Sequence, residues 1–235
     1  MSDHMKRLAA PRSWPIQRKV SVFTAKQRPG SHSIETSVPA VFMLRDMIKI
    51  CDTSREAKRI VANRDLLVDG KPVRSVKAPV GLMDAIAIPA MDLYFRMVLT
   101  PKGKLVAIPI AKDEAGWKLC RIENKNKVKD GKIQINLHDG RNIVLDKNQY
   151  KTGDVLKIAV PSQEILEVYP LDKDAAALVD AGQHAGKTAT VSEYVVTKDS
   201  SENIVRFTDG TETVKSNVFV IGAGSPAIKL PEASE

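Results

Sequence analysis

The chain has 235 residues, of which 36 are Lys or Arg and 28 are Asp or Glu, so that its net charge is +8. Residues 1–77 hold 16 basic and 7 acidic side chains, whereas residues 78–235 hold 20 and 21. A positive charge confined to one third of a chain indicates a polyanionic partner such as a nucleic acid. No apolar run approaches the roughly 18 residues that span a bilayer, so no membrane-spanning segment and no membrane partner are expected. Cys51 and Cys120 lack the spacing of a disulfide framework or a zinc motif, as expected in a reducing cytoplasm.

Residues 1–39 combine prolines and basic side chains without a period that specifies a helix or a strand. We expect an extended basic arm that is disordered in the free protein, because it has too little apolar surface to offset the entropy of ordering. Trp14 lies among the charges and offers a surface on which a nucleotide base can stack. The arm residues predicted to contact RNA are Lys6, Arg7, Arg12, Trp14, Arg18, Lys19, Lys26 and Arg28.

Two amphipathic helices are predicted next. In residues 40–51, apolar side chains including Val41 and Leu44 share one helical face, and polar ones share the other. Residues 53–56 read Thr-Ser-Arg-Glu, a capping box that starts a second helix. Steps of about 100° place Ala57, Ile60 and Val61 on one side of this helix. The opposite side carries a cationic stripe of Arg55, Lys58 and Arg59 near the helix N terminus, where the helix dipole also favours phosphate.

The dipeptide Asp69-Gly70 separates two short apolar segments and predicts a β-hairpin. Pro72 restricts the second strand to the edge of a sheet. Three further cations extend the basic patch of the second helix, namely Lys71, Arg74 and Lys77.

The remainder of the chain is predicted to be rich in β-structure. Residues 133–137 alternate apolar and polar side chains between the turns Asp130-Gly131 and Asp139-Gly140, and residues 143–145 complete a hairpin. A strand is expected at 155–160. A further unit from about residue 173 contains strand-like segments at 190–196, 204–207 and 218–221.

Residues 41–88 resemble the RNA-binding module named after bacterial small-subunit ribosomal protein four. The resemblance rests on the capping box with Ala57 and Ile60, on the hairpin residues 69–73 and on a closing segment at 81–86. Residues 179–191, with Gly182, Gly186 and Lys187, resemble a KOW motif, a glycine–lysine turn of small β-barrels that bind ribosomal RNA or proteins. The resemblance implies that Lys187 contacts RNA.

Motifs at both ends extend the resemblance to nearly the whole chain. They are Lys6-Arg7-Leu8-Ala9-Ala10-Pro11 with Trp14, Lys118-Leu119-Cys120, and residues 216–222 with Leu230-Pro231. Together they resemble the archaeal and eukaryotic small-subunit ribosomal protein four family. Residues 232–235 stand where eukaryotic members have a basic tail, which favours an archaeal member.

Two alternative readings involve nucleotide or metal chemistry. Residues 181–188 read A-x-x-x-x-G-K-T, close to a phosphate-binding loop, but such a loop needs a helix directly after it. The β-branched residues that follow indicate a strand, so nucleotide binding is not expected. The four histidines show no ligand spacing with one another or with the cysteines, so we expect surface or turn positions rather than metal sites.

The sequence therefore predicts an α+β, multi-domain and β-rich fold: a basic arm (1–39), a two-helix and hairpin RNA-binding module (40–90), a central β domain (91–172) and a C-terminal KOW β-barrel (173–235). The family resemblance implies a ribosome-bound, non-catalytic protein without cofactor or small-molecule substrate. Its partners would be small-subunit ribosomal RNA and neighbouring small-subunit proteins. Two other classes remain open, because RNA-modifying enzymes and free RNA-binding factors also carry such a module.

Overall fold

The computed structural model describes residues 4–128 and 131–231 and divides into two compact units. Unit one comprises Met1–Val98 and Lys104–Lys118, and unit two comprises Leu99–Gly103 and Leu119–Glu235. Two predictions involve residues outside the described ranges. They are the turn at Asp130-Gly131, of which only Gly131 is described, and the C-terminal residues 232–235, which favoured an archaeal member. No helix in the described part of the chain is long and apolar enough to cross a lipid bilayer.

The structure is dominated by short antiparallel strands. In chain order the described strands are β1 (His4–Lys6), β2 (Phe23–Ala25), β3 (Ser37–Pro39), β4 (Leu67–Val68), β5 (Lys71–Pro72), β6 (Pro79–Gly81), β7 (Ala85–Ile88), β8 (Leu93–Leu99), β9 (Leu105–Pro109), β10 (Trp117–Lys127), β11 (Ile133–Leu137), β12 (Asn142–Leu145), β13 (Val155–Ala159), β14 (Ile165–Tyr169), β15 (Ala175–Val179), β16 (Thr188–Val195), β17 (Ile204–Phe207), β18 (Glu212–Val214) and β19 (Val218–Ala223). The helices are α1 (Ala40–Phe42), which continues as a π-helical turn (Met43–Met47), and α2 (Ser54–Ala62). Short 3₁₀ turns occupy Arg7–Ala9, Pro89–Met91, Asp113–Gly116 and Lys215–Asn217.

The N-terminal segment is ordered, which corrects the expectation of an arm without regular structure. Strand β1 pairs antiparallel with β2, and β3 pairs with β6. The side chain of Trp14 is only 1% exposed. Its ring stacks on Phe42 at 5.8 Å between centroids, and its Nε1–H donates to the carbonyl of Ser37 at 2.7 Å. Burial of one large aromatic side chain and satisfaction of its only donor fix the segment to the core.

The predicted capping box of α2 is present. The amide of Glu56 donates to Thr53 Oγ1 at 3.3 Å, and the amide of Thr53 donates back to Glu56 Oε2 at 3.3 Å. The amide of Asp52 also donates to this carboxylate at 2.9 Å and is the main reason why the pKa of Glu56 is lowered. The preceding helical segment is shorter than predicted, because the chain turns to a positive φ at Lys49.

The predicted hairpin joins β4 and β5 through Asp69 and Gly70. Both residues have positive φ, 50° and 71°, as a two-residue hairpin of matching twist requires. The hairpin lies at one edge of a five-stranded sheet with the order β5-β4-β7-β8-β9.

Unit one also buries an ionic network that joins residues far apart in sequence. The ammonium group of Lys118, 0% exposed, lies 2.9 Å from Asp69 Oδ2 and 2.7 Å from Asp84 Oδ1. His32 Nε2 lies 2.9 Å from the same oxygen of Asp84. Burial opposes ionisation of Asp84, but His32 and Lys118 outweigh it and hold the pKa of this carboxyl well below its usual range. His32 therefore lies in a bend of the chain but is buried, so the expectation of a surface position fails for this histidine.

Unit two contains two five-stranded antiparallel sheets. The first has the order β12-β11-β10-β13-β14, and its predicted hairpin pairs Ile135 with Ile143 around a turn at Gly140. The alternating apolar side chains face a shared core, which contains Cys120, Ile122, Ile135, Leu137, Leu156 and Ile158.

The second sheet has the order β18-β17-β16-β15-β19. The strands expected near 190–196, 204–207 and 218–221 correspond to β16, β17 and β19. The buried strand β15, a short run of small and apolar residues, lies between β16 and β19 and was not predicted.

The glycine–lysine turn precedes β16. Gly186 has φ +88°, and a Cβ at this position would lie 1.9 Å from the carbonyl oxygen of Thr100. The residue after Lys187 begins a strand rather than a helix, as the sequence indicated. The helix N terminus on which a phosphate-binding loop depends is therefore replaced by a sheet.

Candidate nucleic-acid interface

Helix α2 presents a cationic stripe to solvent. Arg55, Lys58 and Arg59 are all exposed, whereas Ala57 and Val61 on the other side of the helix are buried. The stripe occupies the first two turns, where the partial positive charge of the helix dipole adds to the side-chain charges. Three cations at this spacing can contact successive phosphates without any change in the buried face.

The hairpin side of unit one carries further cations. Lys71 and Arg74 are exposed, and Lys77 is half-buried. The amide of Arg28, itself an exposed residue, donates to the carbonyl of Lys77 at 2.8 Å. This hydrogen bond brings a basic residue of the N-terminal segment to the predicted patch.

The remaining cations of the N-terminal segment fall into two groups. Lys6, Arg12 and Lys19 are exposed and Lys26 is half-buried. Arg18 instead donates to the main-chain carbonyls of Ala10 and Pro11 at 2.7 and 2.8 Å. Its guanidinium group thus stabilises the chain just after the 3₁₀ turn at Arg7–Ala9.

Arg7 has a similar internal role. Its Nε–H donates to the carbonyl of Gln17 at 2.5 Å, and a terminal N–H donates to Ser21 Oγ at 3.2 Å. Both arginines are half-buried, and their guanidinium groups bond to neighbouring parts of the N-terminal segment. They therefore order the segment that displays the exposed cations.

Trp14 cannot serve as the predicted stacking surface. Its ring lies in the core of unit one against Phe42, where no base has access. The prediction was wrong because charge and proline content describe a segment as a whole and give no weight to one large aromatic anchor.

Lys187, the cation of the glycine–lysine turn, lies in unit two. Its ammonium group is 3.2 Å from Asp209 Oδ2, in a pair that is exposed on both sides. An exposed pair of this kind is weak, so the lysine can exchange this partner for a phosphate.

Comparison with known proteins assigns the chain. The model of the ribosomal family S4e matches residues 91–165, and that of the RS4NT domain matches residues 1–35. The small ribosomal subunit protein eS4 of Methanothermobacter thermautotrophicus is 41% identical over 97% of this chain and 96% of its own length. The chain belongs to the ribosomal S4e family. The eS4 protein of Methanocaldococcus jannaschii is 39% identical over 97% of both chains. The crystal structure of the 30S ribosomal protein S4e of Thermoplasma acidophilum is 37% identical, with a TM-score of 0.70 over 80% of this chain and 96% of that one.

A cluster of Cys, His and Asp side chains in this S4e chain was not indicated by spacing in the sequence, although His138 lies in a turn, as expected for the histidines. The ligand atoms of Cys120, His138 and Asp139 all lie within 4.8 Å of one another. The Asp139 carboxylate, however, pairs with Arg141 Nε at 3.2 Å, and the amide of Arg121 donates to His138 Nδ1 at 3.3 Å. A cation would have to displace these donors, so the cluster fits a hydrogen-bonded turn better than a metal site.

Proposed function

We propose that this S4e chain is a structural constituent of the small ribosomal subunit and binds its ribosomal RNA through the basic surface of unit one. The observation that carries the proposal is the stripe of α2, in which three exposed cations are held by a capped helix with a buried opposite face. The near full-length similarity to archaeal eS4 proteins supports the ribosomal assignment.

The role that the surface supports is architectural. Arginine forks bind phosphates bidentately, lysines act as point charges, and both release counterions from the RNA. Double-stranded RNA is recognised mostly by shape and by sugar-phosphate contacts, so little base readout is required. The four-part division into arm, ribosomal-protein-four module, central β domain and KOW barrel is part of this proposal, as are the cytoplasmic, ribosome-bound location and contact with neighbouring ribosomal proteins.

The rivals are an RNA-modifying enzyme and a free RNA-binding factor. Three largely buried charged side chains of unit two are held by protein partners, which favours a structural role: Arg121 donates to Asp180 at 2.8 Å, and Asp154 accepts the amides of Lys151 and Leu171. Co-sedimentation of the native protein with small subunits through a high-salt wash would separate the proposal from both rivals. Release into the supernatant would favour the factor or the enzyme.

The stripe is tested by the salt dependence of RNA binding. Replacing Arg55, Lys58 and Arg59 with Ala should lower the slope of log affinity against log salt by about 2 to 3, because about one counterion is released per phosphate contact. The fold should survive because Ala57 and Val61 keep the buried face.

A matched control removes the same charge elsewhere. Lys147, Lys198 and Lys229 are exposed in unit two, and their replacement with Ala changes the net charge equally. If both triple variants lower the slope by the same amount, net charge rather than the stripe binds RNA. An unchanged slope in the stripe variant would exclude α2 as the RNA surface.

A further inference from the structure

The ribbon of β1 and β2 carries an exposed aromatic face. Phe23 is 55% exposed and lies directly opposite Lys6 in the antiparallel register. His4 precedes Lys6 by two residues, and its ring lies 5.7 Å from that of Phe23 at an angle of 57°. Opposed residues and residues two apart share one face of a β-ribbon, so His4, Lys6 and Phe23 form a single surface.

Packing within unit one does not account for this face. Met5 and Thr24, on the other face of the ribbon, are half-buried, whereas His4, Lys6 and Phe23 are all exposed. A phenylalanine commonly lies in a core, as Phe42 of the same unit does. The ribbon register therefore turns an aromatic ring and a cation outward together.

We propose that Phe23 stacks on an unpaired nucleotide base of the bound RNA while Lys6 contacts a phosphate beside it. The proposal rests on the RNA-binding function proposed above and specifies an element of it. Every base has a π-face, so such stacking needs no particular sequence. His4 lies beside the ring, with 5.7 Å between the two ring centroids. Lys6 is directly opposite Phe23 in the register, and opposed side chains on one face of a ribbon are close neighbours.

Charge complementarity favours RNA over a protein as the occupant. Residues 1–39 contain seven Lys or Arg and only two acidic residues, Asp3 and Glu35. The neighbours of Phe23 on its own face are the imidazole of His4, the ammonium group of Lys6 and the single methyl group of Ala25, rather than an extended apolar surface. Aromatic rings among cations are the usual arrangement for binding splayed bases of single-stranded RNA.

The test measures affinity of the full-length protein for a single-stranded oligouridylate and for an RNA duplex of equal length. Phe23→Ala should weaken binding to the oligouridylate about 5- to 150-fold, the value of one stacked base. Binding to the duplex should not change, because its bases are already stacked. The salt slope should also stay the same, because no charge is removed.

Two further variants complete the test. Phe23→Trp should retain wild-type affinity because it keeps a π-face, and Val22→Ala should also do so because Val22 is an exposed neighbour that has no π-face. Since both side chains are exposed, the unfolding midpoint of each variant should match that of the wild type.

The possible failures are distinguishable. If the wild type binds both RNAs with a salt-dependent affinity and Phe23→Ala binds equally well, the stacking surface is refuted and the proposed function stands. If the wild type binds neither RNA, the proposed function itself fails. If Phe23→Ala binds RNA normally but no longer enters reconstituted small subunits, the face docks on a protein and the inference is wrong.

Discussion

Replacement of Lys118 with Met is expected to destabilise unit one strongly. The substitution keeps most of the side-chain volume but removes the cation that lies 2.9 Å from Asp69 and 2.7 Å from Asp84. The two buried carboxylates would keep the amides of Gly81 and Ala85 as donors, and Asp84 would keep His32, but both would lose the ammonium group that balances their charge. Removal of one partner of a buried ion pair costs about 3–5 kcal/mol. A typical domain has only about 5–15 kcal/mol of stability in total, so a large part of it would be lost.

Denaturant unfolding followed by tryptophan fluorescence measures this effect, because Trp14 and Trp117 both belong to unit one. Arg45→Met is the control, since Arg45 pairs with Asp46 at 2.7 Å near the surface and such pairs contribute about 1 kcal/mol or less.

Asp69→Asn added to Lys118→Met should recover part of the loss. The amide oxygen can still accept from the amide of Ala85, as Asp69 Oδ1 does at 3.0 Å, and one unpaired charge is removed. A Lys118→Met variant as stable as Arg45→Met, or a double variant less stable than the single one, would refute the account of this network.

The same buried network and the glycine–lysine turn each give one further prediction. The pKa of Asp84 is well below its usual range in the folded state, so the stability it contributes is present above about pH 4, the pKa in the unfolded chain, and is lost as the pH falls below that. Acid titration of unfolding free energy should show this loss in the wild type and less of it in Lys118→Met, and equal slopes would contradict it. Gly186→Ala should lower the amide protection of β15 and β16 in hydrogen exchange more than Gly210→Ala does. Both glycines have positive φ, but only the first would place a Cβ against the carbonyl of Thr100, and equal effects would show that φ alone matters.

Local signals in the sequence predicted local structure. The capping box at Thr53 and the Asp69-Gly70 turn each depend on residues within four positions, and both are present. The exposed stripe of α2 also follows from the period of a helix anchored by its cap. Contacts of this range can be derived from side-chain chemistry and backbone geometry alone.

Non-local contacts could not be derived in this way. Lys118 is 34 residues from Asp84 and 49 from Asp69, and His32 is 52 from Asp84. Asp69 was correctly assigned to a turn, but its carboxylate also accepts from a buried ammonium group that no period or spacing reveals. The cluster of Cys120 with His138 arises likewise, from the pairing of two strands.

The two aromatic residues of the N-terminal segment show where composition fails as a guide. Trp14 was expected at the RNA surface because it lies among cations, yet its ring and its N–H both find partners in the core. Phe23 lies among similar cations, but the register of β1 and β2 places it beside Lys6 on the outer face. Because both rings have cations nearby in the sequence, only the three-dimensional packing decides which one orders the segment and which one remains available to a partner. The element that fixes the segment in the free protein therefore differs from the element that would contact RNA, so ordering of this arm need not await binding.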